Sequence, residues 1–127
     1  MIKTFKFSGS EYLPSVILDK ARNEFKISGL SIPEDSYEFY RPIIAWVDEY
    51  VKNPNLVTHF YVFLEYFNSS SVKQIFFLLS KLEAIIKSGK EAKIFWHYKL
   101  GDDLIKTKGV KFKELLHVPF ELVEHDK

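Results

Sequence analysis

The stretch Leu56–Leu82 constrains the fold of this chain more than any other part of the sequence. Its first half, Leu56–Phe67, is rich in aromatic and β-branched residues, which is typical of a strand buried on both faces in the middle of a sheet. Four small polar residues follow, Asn68–Ser71, which we call the serine elbow. Beyond the elbow, apolar residues recur at helical spacing. This order predicts a central strand that leads through the elbow into a helix beginning near Ser70.

The composition is that of a small globular protein rather than a fibrous, membrane-spanning or nucleic-acid-binding one. A length of 127 residues predicts a single domain over residues 1–127, and an aromatic content of 17% supplies a core. The absence of cysteine excludes disulfides and thiolate metal sites. A net charge of +1 gives no reason to expect a nucleic-acid partner. Without a signal peptide or a long apolar run, we expect a cytoplasmic protein that does not contact a membrane.

Alternating and apolar patterns predict six strands along the chain. The predicted strands are Ile2–Phe7, Ser15–Asp19, Glu24–Ser28, Leu56–Phe67, Ala92–Tyr98 and Phe120–Val123. The second and third form a hairpin, and the order strand–helix–strand in the second half predicts parallel strands with right-handed crossovers. The sequence therefore predicts an α/β fold with a small mixed sheet flanked by helices.

The helical segments are marked by their caps and their breakers. Asp35, three residues before Glu38, has the spacing of a capping box. Because Pro42 disrupts a helix interior, we expect a short turn over residues 36–40 and a main helix over residues 41–51. Apolar residues at helical spacing between Val72 and Ile86 mark the next helix, which begins near Ser70 and is ended by Ser88 and Gly89. A weaker helical face over residues 100–116 is interrupted at Gly109, and residues 125–127 are expected to be frayed.

The four residues of the elbow differ in how well local structure explains them. Ser71 with Gln74 three residues later fits a capping box, and Asn68 suits a turn. The sequence indicates no structural role for Ser69 and Ser70. Helix capping remains the simplest explanation of the elbow as a whole.

An enzymatic alternative would make an elbow serine a nucleophile. Such a serine needs a neighbouring base, and His97 near the end of the next strand could approach it. However, the elbow lacks the Gly-x-Ser-x-Gly pattern, and a hydrogen-bonded histidine at a strand end explains His97 equally well. The other histidines, at positions 59, 117 and 125, show no metal-ligand spacing. We therefore expect no catalytic residues, no metal and no cofactor.

Three motifs together resemble a known family over essentially the whole chain. They are Ile32–Glu38 leading into Ile44–Val47, then Tyr66–Ser71, and finally Trp96–Tyr98 with Val118–Phe120. In this order and spacing they resemble the SiaC family of bacterial regulatory phosphoproteins. The family is similar in architecture to the STAS domains of anti-sigma-factor antagonists, so the resemblance implies a STAS-like fold that acts by protein docking.

The resemblance also implies a switch without catalytic activity of its own. A serine/threonine protein kinase phosphorylates the hydroxyl residue directly after the elbow asparagine, which is Ser69 in this chain, and a metal-dependent phosphatase removes the phosphate. The unmodified form binds an output partner, which in this family can be a diguanylate cyclase. The best-known form of the motif has threonine at the acceptor position, so the serine here leaves Ser70 as a second choice.

Phosphorylation at a helix start would spare the fold and disturb a contact, because the added charge opposes burial of an apolar docking face. We expect the partner-binding face to include Phe67, Asn68, Ser69, Ser70, Val72 and Phe76. The competing hypothesis of another class is a structural or oligomerisation module with an ordinary helix cap.

Overall fold

The computed structural model describes residues 2–126, which build one six-stranded sheet and four helices. In chain order the elements are β1 (Phe5–Phe7), β2 (Ser15–Asp19), β3 (Glu24–Ser31), α1 (Ser36–Tyr50), β4 (Val57–Phe67), α2 (Ser69–Ser80), α3 (Glu83–Lys87), β5 (Glu91–Lys99), α4 (Asp103–Leu115) and β6 (Phe120–His125). Among residues 2–126, no helix has the length and apolar character needed to cross a bilayer.

The strands lie in the sheet in the same order as in the chain. β1, β2 and β3 pair antiparallel, whereas β3, β4, β5 and β6 pair parallel. The predicted hairpin and the predicted parallel second half are therefore confirmed. The mixed α/β class is confirmed as well.

The helices pack on one face of the sheet, and this corrects the prediction that the central strand is buried on both faces. Along β4 the residues facing the helices are buried, whereas Tyr61 on the other face is 36% exposed and Glu65 is also exposed. The aromatic residues of that open face lie beside one another instead: the Tyr61 and Phe95 rings stack at 4.9 Å across β4 and β5. The apolar run of β4 therefore combines residues of two kinds. One set is buried under the helices, and the other consists of rings that pack side by side on the open face.

α1 is continuous from Ser36 to Tyr50, so the predicted break before Arg41 is wrong. Asp35 is the N-cap as expected, and its carboxylate accepts a hydrogen bond from the Glu38 N–H at 3.1 Å. Pro42 lies inside the helix but on its exposed side. The carbonyl of Glu38, which loses its N–H partner to the proline, is on the exposed side as well. Water can therefore satisfy it, which makes the proline tolerable.

Four other boundaries differ from the sequence-based expectation. β1 covers only Phe5–Phe7, and β3 continues to Ser31 through a register shift at Gly29, whose φ is 103°. The single helix expected from near Ser70 to Ser88 is divided into α2 and α3. β6 runs to His125, so that residue is ordered in a strand rather than frayed, and the expectation for Lys127 lies outside the described residues.

Gly109 does not interrupt α4 but allows it to approach the sheet. A Cβ atom at this position would overlap the Trp96 indole and the Leu122 side chain. The indole is completely buried, and its Nε1–H donates to the Ile105 carbonyl of the same helix at 3.0 Å. The absence of a side chain at position 109 thus sets the distance between α4 and the sheet.

Gly109→Ala should therefore destabilise the protein, although alanine usually favours a helix. Overpacking against Trp96 should lower the free energy of unfolding by about 1–3 kcal/mol. Urea unfolding measures it, with Val110→Ala as a neighbouring control on the exposed side. An alanine variant as stable as the parent would show that α4 moves freely at this contact.

Candidate functional site

The serine elbow joins the end of β4 to the start of α2, and its first residue is the helix cap. Asn68 has extended backbone angles, and its Oδ1 accepts a hydrogen bond from the Ser71 N–H at 2.9 Å. The predicted Ser71–Gln74 capping box is therefore wrong: Ser71 is the third residue of α2, not its cap. Asparagine caps a helix as well as serine does, and its earlier position starts α2 at Ser69.

Ser71 takes part in a chain of hydroxyl groups that ties β3, α1 and α2 together. The side chain of Ser71 is completely buried. Successive oxygen–oxygen distances are 2.7 Å for Ser70–Ser36, 3.3 Å for Ser36–Ser71, 3.0 Å for Ser71–Ser31 and 2.6 Å for Ser31–Tyr40. Burial raises the pKa of the Tyr40 phenol, so the group stays a neutral hydroxyl. The chain thus runs from the exposed Ser70 to the core.

The two candidate acceptor serines are both exposed but differ in their hydrogen bonds. The Ser70 hydroxyl is bonded to Ser36 Oγ at 2.7 Å and to Asn68 Oδ1 at 3.2 Å. In contrast, the Ser69 hydroxyl forms no hydrogen bond with any group in the described part of the chain. Ser69 is therefore the elbow serine whose hydroxyl makes no hydrogen bond within residues 2–126.

A shallow hollow beside Ser70 gives the elbow an acidic side. It is lined by Glu34, Asp35, Ser36, Tyr37, Ser70, Lys73 and Gln74. Glu34 and Asp35, directly before α1, contribute two carboxylates to this hollow, and Lys73 of α2 contributes one ammonium group.

The apolar residues expected on the docking face divide into buried and accessible ones. Phe67 is only 4% exposed and packs against Trp96, so it belongs to the core and offers no surface for direct contact. Val72 and Phe76 are half-buried, and the Phe76 ring meets Phe112 at 5.2 Å. Their role in binding a partner remains a prediction.

Two exposed aromatic residues near the elbow were not selected from the sequence. Tyr66 is 47% exposed at the end of β4, and Phe77 is 51% exposed on α2. Phe77 lies eight residues after Ser69, two helical steps of four along the same side of the helix. The spacing between Ser69 and Phe77 can be read from the sequence. However, α2 contains several consecutive apolar residues, and the sequence alone does not show which of these residues is exposed.

His97 does not belong to a serine site. It projects from β5 to the open face of the sheet, away from the helices, and its Nδ1 lies 2.6 Å from His125 Nε2. Its ring lies between Tyr61 and Phe63, and its Nε2 is buried without a hydrogen-bond partner. The interpretation of His97 as a hydrogen-bonded histidine near a strand end is confirmed. Within residues 2–126, no group of three or more histidine, aspartate or glutamate side chains could hold a metal ion.

Comparison with known proteins places this mixed α/β chain among regulatory phosphoproteins. The model of the SiaC family regulatory phosphoproteins matches residues 7–125, and the chain belongs to that family. The chain is similar to SiaC of Pseudomonas aeruginosa, with a TM-score of 0.86 and 25% identity over 97% of this chain and 99% of the other.

Two further comparisons agree with this membership. A chain in the crystal structure of the diguanylate cyclase SiaD in complex with its activator SiaC, also from Pseudomonas aeruginosa, matches with a TM-score of 0.87. Its identity is 26% over 95% of this chain and 99% of that one. An uncharacterised protein of Pseudomonas aeruginosa strain UCBPP-PA14 is 27% identical over 119 residues, which is 94% of each sequence.

The hydrogen bonds of the elbow predict different effects for three alanine substitutions. Asn68→Ala removes the cap and should cost about 0.5–2 kcal/mol of stability. Ser71→Ala removes a buried hydrogen-bonded hydroxyl and should cost about 1–2 kcal/mol. Ser69→Ala removes an exposed hydroxyl that makes no hydrogen bond within residues 2–126 and should stay within about 0.5 kcal/mol of the parent. Thermal unfolding measures all three, and a strongly destabilised Ser69→Ala would contradict the geometry.

The histidine pair predicts a loss of stability in mild acid. Burial, reinforced by His125 and Lys26, lowers the pKa of His97 in the folded state. The unfolded chain then binds more protons as the pH falls below about 6.5, so stability is complete above that pH and declines below it. His97→Phe should flatten this decline between about pH 7 and 5.

The measurement for this pair is urea unfolding across that pH range, with His117→Gln as the control. His117 is exposed on the loop before β6 and lies outside the pair. If the free energy of unfolding depends on pH in the same way in the parent and in His97→Phe, then protonation of the histidine pair does not affect stability.

Proposed function

We propose that this chain is a cytoplasmic, non-enzymatic switch that is controlled by phosphorylation of Ser69. A serine/threonine protein kinase transfers a phosphoryl group from a nucleoside triphosphate to Ser69 Oγ, which loses its proton, and a metal-dependent phosphatase hydrolyses the ester. The unmodified protein docks to an output partner, a diguanylate cyclase, through the elbow and the adjacent surface of α2. Residues 1–127 act as one regulatory domain. The observation that carries the proposal is the exposed and unbonded hydroxyl of Ser69 directly after the Asn68 cap.

The hydrogen-bond pattern favours Ser69 over Ser70 as the acceptor. A kinase must bring the hydroxyl into line with the transferred phosphoryl group, and Ser69 can turn toward it without breaking any bond in the fold. Ser70 would have to leave Ser36 and Asn68 first. Ser71 is buried and inaccessible.

The start of α2 can carry the phosphate with little cost to the fold. The N–H groups of Ser69 and Ser70 open the helix and have no carbonyl one turn earlier to bond. They carry partial positive charge, which stabilises an anion at this end of the helix. The Asn68 cap and the buried Ser71 hydroxyl remain in place because neither involves the Ser69 side chain.

The same phosphate is unfavourable for docking. The surface around the elbow includes the exposed rings of Tyr66 and Phe77 and the half-buried Val72. A partner that covers these groups would have to dehydrate a group with a charge of about −1.5 to −2. The diguanylate cyclase SiaD of Pseudomonas aeruginosa forms a complex with its activator SiaC, which supports a cyclase as the output partner of this chain.

The assignment as a non-enzyme follows the membership in a regulatory family. A serine hydrolase needs its nucleophile beside a base, yet His97 lies on the sheet face opposite the helices and is bonded to His125. Ser69 and Ser70 stand at the start of a helix on the other side. The geometry thus supports a modified serine and gives no support to a catalytic one.

Binding and cyclase assays with substituted proteins test the proposal. Ser69→Ala should bind and activate the cyclase as the unmodified parent does, even after incubation with the kinase. Ser69→Asp should bind at least about tenfold more weakly, because one buried charge costs more than about 1.4 kcal/mol. The matched control is Ser70→Ala, which should remain sensitive to the kinase.

Phosphosite mapping of protein from its native cells gives an independent readout. The phosphate should be found on Ser69. Phosphate on Ser70 alone would refute Ser69 as the acceptor. No phosphate on the elbow, together with equal cyclase binding by Ser69→Asp and the parent, would refute the switch and favour a structural module with an ordinary cap.

A further inference from the structure

Lys73 stands one helical step after the proposed acceptor and has no charged partner. It is exposed on α2, four residues beyond Ser69, and forms no ion pair within residues 2–126. Five other lysine and arginine side chains already form ion pairs with carboxylates. The pairs are Arg41 with Glu38, Lys52 with Glu49, Lys81 with Asp48, Lys93 with Glu121 and Lys99 with Glu65. The cation nearest in sequence to the elbow is thus a free one.

We infer that the ammonium group of Lys73 binds the phosphate on Ser69 and holds it against the protein's own surface. This inference rests on the proposed modification of Ser69. Residues four apart on a helix are neighbours, with Cβ atoms about 5–6 Å from each other, so a phosphoserine and a lysine can reach each other across one turn. An anion that precedes the cation in the chain is the favourable order, because it also faces the positive end of the helix.

The hydrogen bonds of Ser70 favour position 69 for this pairing. Ser70 borders the hollow that contains Glu34 and Asp35 together with Lys73. A phosphate on Ser70 would face these carboxylates and would break the 2.7 Å hydrogen bond to Ser36. A phosphate on Ser69 thus meets Lys73 without breaking a hydrogen bond, whereas one on Ser70 also faces two carboxylates and loses the bonds to Ser36 and Asn68.

The pairing also changes the surface farther along α2. Phe77 lies four residues beyond Lys73, and its exposed ring carries the ammonium of Lys81 at 4.5 Å. Ser69, Lys73 and Phe77 therefore follow one another along one ridge of the helix. A phosphate bound by Lys73 neutralises this ammonium and adds negative charge, so a single modification changes the sign of the charge at the Ser69–Lys73 end of the ridge.

Proteins that carry phosphoserine at one defined position, introduced during translation, test this inference without a kinase. The second pKa of the phosphate, near 6 in free phosphoserine, is read from phosphorus NMR titration. With phosphate on Ser69, Lys73→Gln should raise that pKa by about 0.3 units, because the dianion loses its cation. Lys73→Arg keeps the charge and should leave the pKa unchanged. Lys111→Gln, an exposed lysine on α4, is the matched control and should also leave it unchanged.

Thermal unfolding of the same proteins tests the selectivity for position 69. Phosphoserine at position 69 should raise the melting temperature by roughly 2–4 °C, and part of the rise should disappear in Lys73→Gln. Phosphoserine at position 70 should lower the melting temperature.

Two results would overturn the inference. One is a phosphate pKa that does not respond to Lys73→Gln, and the other is an equal melting temperature for the two phosphoserine positions. Either result would leave the proposed function intact, because that depends on cyclase binding and on the phosphosite found in cells. Conversely, a protein that is never phosphorylated in cells would refute the proposed function even if Lys73 binds the installed phosphate.

Discussion

The hydrogen bond from the Ser71 N–H to Asn68 Oδ1 decides where the central strand ends and the helix begins, and much of the elbow depends on it. Because Asn68 caps the helix, Ser71 turns inward and joins the buried hydroxyls of β3 and α1. Ser69 is left outside, at the first helical position, with its hydroxyl free. The helix cap and the residue that we propose is phosphorylated therefore occupy adjacent positions and share no hydrogen bond, so a change at Ser69 can leave the cap unaffected.

The two faces of the sheet have different roles. The helix-covered face contains the core, and Gly109 and Trp96 set the distance of α4 from it. The open face carries laterally packed rings and the pair His97–His125. The elbow lies at the edge of the covered face, where β4 passes into α2, so the surface that we propose is modified adjoins the central strand of the sheet.

The sequence was sufficient for the fold class, the hairpin, the parallel second half and the position of the elbow, because strand alternation, helical spacing and caps are local signals. It was insufficient where a tertiary contact decides. Ser71 and Gln74 have the spacing of a capping box, but the burial of Ser71 against Ser31 could not be read from the chain. Phe67 and Phe77 are equally apolar, yet only the packing against Trp96 distinguishes a core residue from an exposed one.

The central claim is that phosphorylation of Ser69 alters a contact surface and leaves the fold unchanged. Amide hydrogen exchange of the stoichiometrically phosphorylated protein, compared with the unmodified one, tests this claim most directly. We predict that changes in protection are confined to the elbow and the first turns of α2, with β4, α1 and β3 protected as before. Loss of protection in β4 or α1 would contradict the account, since the phosphate would then act by unfolding the junction rather than by changing its surface.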